Sequence, residues 1–157
     1  MEQQPKRIRA EKYFAAHGIN PNKPNSDGIN NILDMRPSTF WKKGMDSVLD
    51  YPCSISIEGF LFYAYVEVEF DVDGQSYIFQ GGSGGIGLGD LTCEGVIYFG
   101  NGLETLLAAT TFGVAFGAED GGVCQVTWGT SGNATAAGIG EGLGAFGGSG
   151  SWHKTKP

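Results

Sequence analysis

Residues 62–80 read FYAYVEVEFDVDGQSYIFQ. Phe62, Ala64, Val66, Val68 and Phe70 alternate with Tyr63, Tyr65, Glu67 and Glu69. A period of two puts the first set on one face of a β-strand and the second on the other. One face is apolar and the other carries phenols and carboxylates, so the strand is expected to have a buried side and a solvated outer side. Asp73-Gly74 follows, a strong signal for a two-residue hairpin turn. Residues 76–80 return as the partner strand.

The same grammar continues downstream. Residues 92–99 read as a strand, and Asn101-Gly102 reads as a second tight turn or, instead, Asn101 caps one short helix over 102–109, GLETLLAA. Residues 111–118 and 122–129 form a hairpin across Asp120-Gly121, and 134–141 and 143–151 fit two more strands. The two halves look like a weak duplication. Asp73-Gly74, a strand to Phe79, Gly81-Gly-Ser-Gly and Gly85-Ile-Gly-Leu-Gly89 match Asp120-Gly121, a strand to Trp128, Gly129-Thr-Ser-Gly and Gly138-Ile-Gly-Glu-Gly142. Alternate glycines leave one strand face without side chains, so another element can approach closely or a narrow barrel can close. The expected fold is all-β, a compact closed antiparallel barrel of about eight short strands. One short helix separates two similar halves. Closure also removes the sheet edges in a segment that has no lysine to guard them.

Upstream, residues 6–17 predict a short helix ending at Gly18, and 19–31 predict a loop. Ser38 caps an expected helix over 39–50, with Phe40, Trp41 and Met45 on its apolar stripe and Pro52 at its exit. The reading divides the chain into a helical and irregular leader (1–54), a barrel (55–152) and a tail (153–157).

Charge and glycine divide at about the same place. The 157 residues carry a net charge of −7 and 27 glycines. Residues 1–60 hold eight bases, seven acids and four glycines, whereas 61–152 hold ten acids, 23 glycines and no Lys or Arg. Nucleic-acid binding relies on Lys and Arg displacing counterions, so the body is not a nucleic-acid binder. Membrane contact by this body is hydrophobic rather than electrostatic, for the same reason. The N-terminus lacks the apolar stretch of a secretory signal. The sequence therefore fits a cytoplasmic protein, export by a signal-independent route, or a mature secreted form.

Motifs for catalysis are thin. GxGxxG occurs at Gly82/Gly84/Gly87 and at Gly142/Gly144/Gly147. A strand follows each match where a dinucleotide fingerprint needs a helix, so no cofactor is expected. His17 and His153 lie in the leader and near the tail, away from any orienting acid, and no catalytic residue is assigned. Glu67 and Glu69 share a face with Asp71, and this reads as the wet outside of the barrel more readily than as a glycosidase pair. Acids at the hairpin tips lack EF-hand spacing, and no metal site is expected. Cys53, Cys93 and Cys124 show no CxxC spacing and read as small buried hydrophobes. Trp128 and Trp152 end their strands, where a ring either caps the core or stacks on a ligand.

Tyr98-Phe99-Gly…Leu103-Glu-Thr-Leu-Leu107…Thr110-Thr-Phe112 and the ending Gly144-Ala-Phe-Gly-Gly-Ser-Gly-Ser-Trp152 carry a likeness. Over about residues 55–152 the chain resembles the Vap family, virulence-associated proteins of intracellular actinobacterial pathogens. The resemblance implies an eight-stranded barrel with a variable N-terminal segment. It implies no enzymatic activity, no cofactor and action on host endomembranes, and it transfers no functional residue. The cysteines and the longer helical leader depart from the family pattern.

The expected function is a non-enzymatic barrel acting by contact with a host or protein partner. The alternatives are a small-hydrophobic-ligand barrel of the lipocalin or avidin kind, and a small membrane-active toxin component. Phe40, Trp41, Tyr63, Tyr65, Trp128 and Trp152 are the candidate contacts for a partner or ligand.

Overall fold

Alternation governs the wall of the molecule. The computed structural model describes residues 6–20, 50–117, 122–140 and 142–155. In chain order the elements are α1 (Lys6–Ala16), β1 (Asp50–Val72), β2 (Gln75–Tyr98), α2 (Leu103–Leu107), β3 (Thr111–Gly117), β4 (Gly122–Thr127), β5 (Asn133–Gly140) and β6 (Leu143–Lys154). Every ladder is antiparallel. The order is β1-β2-β5-β4-β3-β6, and a further ladder joins β6 back to β2, closing the barrel.

The expected count of about eight short strands is met in an unexpected way. β1 and β2 run for 23 and 24 residues. The first half of β2 pairs with β6 and its second half with β5, while β1 follows it along both halves. β1 and β2 therefore supply two staves each and β3 to β6 one each, four before α2 and four after it. The two halves exist, but the repeated motifs do not correspond within them. Asp73-Gly74 joins the second and third staves, with Asp73 at φ 51° and Gly74 at φ 83°, as a tight hairpin turn requires. The second hairpin joins β3 to β4, the first and second staves of its half, and its Asp120-Gly121 lies outside the described residues. Gly81-Gly-Ser-Gly runs within the continuous strand β2, whereas Gly129 takes φ 60° in the turn between β4 and β5.

β1 turns a corner at Leu61, which adopts φ 77°. Register with β2 shifts by one between Leu61 and Tyr63. Because side chains alternate, a one-residue irregularity reverses which parity faces inward. Cys53, Ile55 and Ile57 face the core before the corner, and Ala64, Val66, Val68 and Phe70 after it. Both arms thus keep an apolar face inward.

Rings fill the interior. Phe79 contacts Phe112, Trp128 and Trp152 with ring centroids 4.9, 5.4 and 5.4 Å apart. Phe116 stacks on Phe146 at 6.0 Å, and Tyr51 on Phe99 at 5.3 Å. Large side chains inside are matched by absent ones in the wall. The closing ladder pairs Gly81 with Gly150, Gly84 with Gly147 and Gly87 with Gly144. A Cβ on Gly87 would lie 2.5 Å from Gly144 Cα, and one on Gly148 would lie 2.2 Å from Gly82 O.

Two boundaries differ from expectation, and a third lies largely outside the described residues. Asn101 does not cap the central helix: its Nδ2 donates to Thr130 O at 2.9 Å, and Gly102 occupies the N-cap at φ 96° without a side-chain bond. Pro52 lies inside β1, whose one ladder partner among the described residues is β2, so a proline is tolerated there. Of the helix expected over 39–50, residues 39–49 lie outside the described residues and Asp50 opens β1.

Gly148→Ala is expected to lower stability by about 1–3 kcal/mol, the usual cost of overpacking. Gly117→Ala, where a Cβ meets nothing within 4 Å, should stay within about 0.5 kcal/mol of the parent. Denaturant midpoints of the two variants check this contrast.

Candidate functional site

The outer face of the second arm of β1 is not solvated as expected. α1 lies across it. Tyr65 is 1% exposed and Glu67 8%, so two positions assigned to the wet side are covered. The helix brings Ala10 and Phe14, which join Tyr65 in a small cluster separate from the barrel core, with Tyr13, Ile19, Phe60 and Tyr63 packed against it. Phe14 meets Phe60 and Tyr63 edge-on, at centroid distances of 5.3 and 6.0 Å. Tyr13 lies 5.3 Å from Tyr65 and stacks on His17 at 4.0 Å. Gly82 on neighbouring β2 makes room: a Cβ there would sit 2.9 Å from Tyr13, 3.2 Å from Ile19 and 3.3 Å from Phe14.

A polar network pins the helix. Arg9 donates from Nε to Glu67 Oε2 at 2.9 Å and from Nη2 to Oε1 at 2.8 Å. Two parallel bonds between guanidinium and carboxylate are among the strongest charge-assisted arrangements. Tyr65 Oη donates to Glu67 Oε2 and accepts from Gln80 Nε2 at 3.0 Å. Burial pushes the Glu67 carboxyl up, but the bonds from Arg9 and Tyr65 outweigh it and hold the group below its ordinary value. The bond to Glu67 raises Arg9 against the opposing effect of its own burial. Burial, reinforced by the bond to Glu67, raises the Tyr65 phenol.

The other candidate residues scatter. Tyr63 is half-buried beside Phe14. Trp128 and Trp152 are 2% and 9% exposed, with ring centroids 5.2 Å apart inside the barrel. Their place is the core, and neither presents a face to a partner in solution. Phe40 and Trp41 lie outside the described residues. Glu69 is exposed while Glu67 is engaged by Arg9, so the two carboxylates do not act as a pair across a cleft. Glu69, Asp71 and Glu94 instead rim a surface groove of about 410 Å³ between the two arms of β1, with Cys53 in its lining. His153 Nε2 lies 3.0 Å from Ser151 Oγ on the exposed end of β6.

All three cysteines are free and buried. Burial pushes the Cys53 thiol up to about 12, and raises Cys93 and Cys124 as well. Buried thiols with raised pKa values are poor nucleophiles, and these serve as core side chains.

Two features escaped the sequence reading. One is the seat of α1, signalled only by Arg9-Ala10 and Tyr13-Phe14 at helical spacing. The other is an apolar end of the barrel. Leu61, Leu88, Val123, Ile139 and Leu143 are 41, 56, 58, 81 and 70% exposed. Leu88 pairs directly with Leu143, and Leu61 pairs with the neighbouring Gly87. Ile139 lies across the short β5–β6 connection from Leu143, and Val123 pairs with Ala137, two residues before Ile139. Glycines 87, 89, 140, 142 and 144 surround these side chains.

No protein-family model and no curated protein matches the chain. Solved structures do. The virulence-associated protein VapD from the intracellular pathogen Rhodococcus equi superposes with a TM-score of 0.57 at 25% identity, covering 68% of this chain and 99% of that one. VapB from the same organism gives a TM-score of 0.52 at 21% identity, covering 68% and 97%. The barrel is Vap-like. The Vap chains are matched almost whole, which leaves about a third of this chain beyond the shared barrel. The segment before β1 is of that size.

Glu67→Gln is expected to weaken the seating of α1 by about 1–3 kcal/mol, the usual cost of losing a hydrogen bond to a charged group. In the parent, the carboxyl titrates lower when folded than when unfolded. Its contribution is therefore full above the ordinary value of 4.5 and is lost as pH falls through the lower folded value. The protection factors of the α1 amides, which remove the intrinsic pH dependence of exchange, should be flat from neutral pH down to 4.5 and fall below it. In the variant they should be lower throughout without that acid step.

Proposed function

We propose that this protein is a non-enzymatic, virulence-associated-type barrel that acts by touching a host component, and that the component is an endomembrane surface. The apolar end formed by Leu61, Leu88, Val123, Ile139 and Leu143 carries this reading. Single exposed aliphatic residues are ordinary on a protein surface, but neighbouring ones on one end of a barrel mark an interaction site. The glycines around them keep that end low, so the leucine and isoleucine side chains stand proud of the backbone and can enter a lipid interface.

Charge favours a neutral target. Residues 61–152 carry no Lys or Arg, so attraction to anionic headgroups contributes nothing from the body and the contact depends on apolar burial. The interior supports surface action too, since aromatic rings occupy the space where a ligand barrel would hold its guest. The neighbours VapD and VapB are virulence-associated proteins of an intracellular pathogen, which supports a host-side target.

Flotation with phosphatidylcholine vesicles tests the proposal. The parent protein is expected to float with the vesicles, and the double variant Ile139→Ser/Leu143→Ser to remain in the soluble fraction at least tenfold more. Both side chains are exposed, so the barrel should fold in the variant. A parent that stays soluble, or a variant that floats equally, contradicts the proposal.

A further inference from the structure

The barrel face beneath α1 is built to receive a helix. We propose that it is a helix-docking site, that α1 is its displaceable occupant in cis, and that a partner protein competes for it with an amphipathic helix. That helix presents an arginine, a small residue next to it, and two adjacent aromatics one turn on. The site lies on the β1–β2 wall, where its Phe60 pairs with Leu88 of the apolar end, but it does not rest on the membrane reading.

The occupant already seated there defines the chemistry. Arg9 forks onto Glu67 at 2.8 and 2.9 Å. Ala10, buried completely, lets the helix lie close to the wall. Tyr13 and Phe14, at i+4 and i+5 from Arg9, press on Tyr65, Phe60 and Tyr63. Gly82 supplies the flat floor, because any side chain there would meet Tyr13 at 2.9 Å. These are the anchors of helix-in-groove recognition: a few side chains on one helix face set both affinity and specificity.

Three observations make α1 displaceable. Its cluster of Ala10, Phe14 and Tyr65 is separate from the barrel core, so the barrel's packing does not depend on it. An isolated helix of 11 residues is marginal in water, so α1 is ordered by the face it occupies. The Vap neighbours are covered almost whole by about two thirds of this chain, and the segment before β1, which includes α1, is of the size left over. A tethered occupant acts at an effective concentration of about millimolar. A partner helix must outcompete that, which makes α1 a guard against weak binders.

The test uses a fluorescein-labelled peptide of residues 5–20, PKRIRAEKYFAAHGIN, and the full-length protein. In the double variant Arg9→Ala/Phe14→Ala the cis helix has lost its anchors. Fluorescence anisotropy should show the peptide binding this variant at least tenfold more tightly than the parent. Adding Glu67→Gln should weaken that binding about tenfold, and a peptide carrying alanine in place of both anchors should not bind. A circular-dichroism spectrum rich in β-structure shows that the opened barrel is intact. Should the double variant fail to fold, the single variant Arg9→Ala takes its place, since that side chain belongs to neither apolar cluster. Equal peptide binding to parent and opened protein, no binding to a folded opened protein, or indifference to the two anchors overturns the proposal.

Discussion

Backbone-to-backbone approach across the β2–β6 ladder is the constraint on which this structure depends. A wall of long bent strands closes only where its last two members come together. They do so at three glycine pairs, Gly81 with Gly150, Gly84 with Gly147 and Gly87 with Gly144. No side chain projects from the wall at these pairs, and at Gly81, Gly150 and Gly87 the space inside goes to Phe79, Phe112 and Phe146 instead. The high glycine content is therefore a packing requirement. Bulk is moved from the closing wall to the interior, so that a narrow cylinder can hold large rings.

Closure also explains what is left over for function. With rings filling the interior, the surfaces open to contact lie on the outside. The outside is uneven. One end carries exposed leucines, isoleucine and valine among glycines, one groove is rimmed by Glu69, Asp71 and Glu94, and one wall is covered by α1. The covered wall is where a charge from the leader meets a charge from the body. Arg9 comes from the mixed-charge segment, Glu67 from the segment that has no base of its own. The division of charge along the sequence reappears as an ion pair between two elements of the fold.

Much of the barrel was legible in the sequence because alternation is local. Residues 64–70, the Asp73-Gly74 turn, the β3–β4 hairpin and the short helix before Thr111 all follow from neighbouring residues. The continuity of β1 and β2 was not legible. Glycine runs look alike whether they turn or extend, so Gly81-Gly-Ser-Gly and Gly129-Thr-Ser-Gly were matched although one lies within a strand and the other opens a turn. The outer face was misread for a different reason. Tyr65 and Glu67 carry the pattern of a wet face, and only contact with the distant α1, whose Arg9 lies 58 positions before Glu67, covers them. Trp128 and Trp152 have amphipathic side chains suited equally to a core or a binding surface, and the register of their strands, set by distant partners, turns them inward.

Closure of the ring by β2 and β6 can be measured directly. Nuclear Overhauser contacts and slow amide exchange should link the two strands across Gly81/Gly150, Gly84/Gly147 and Gly87/Gly144. Fast exchange along β6 opposite β2, with β2 in contact with β1 and β5 alone, would show an open sheet and contradict the account.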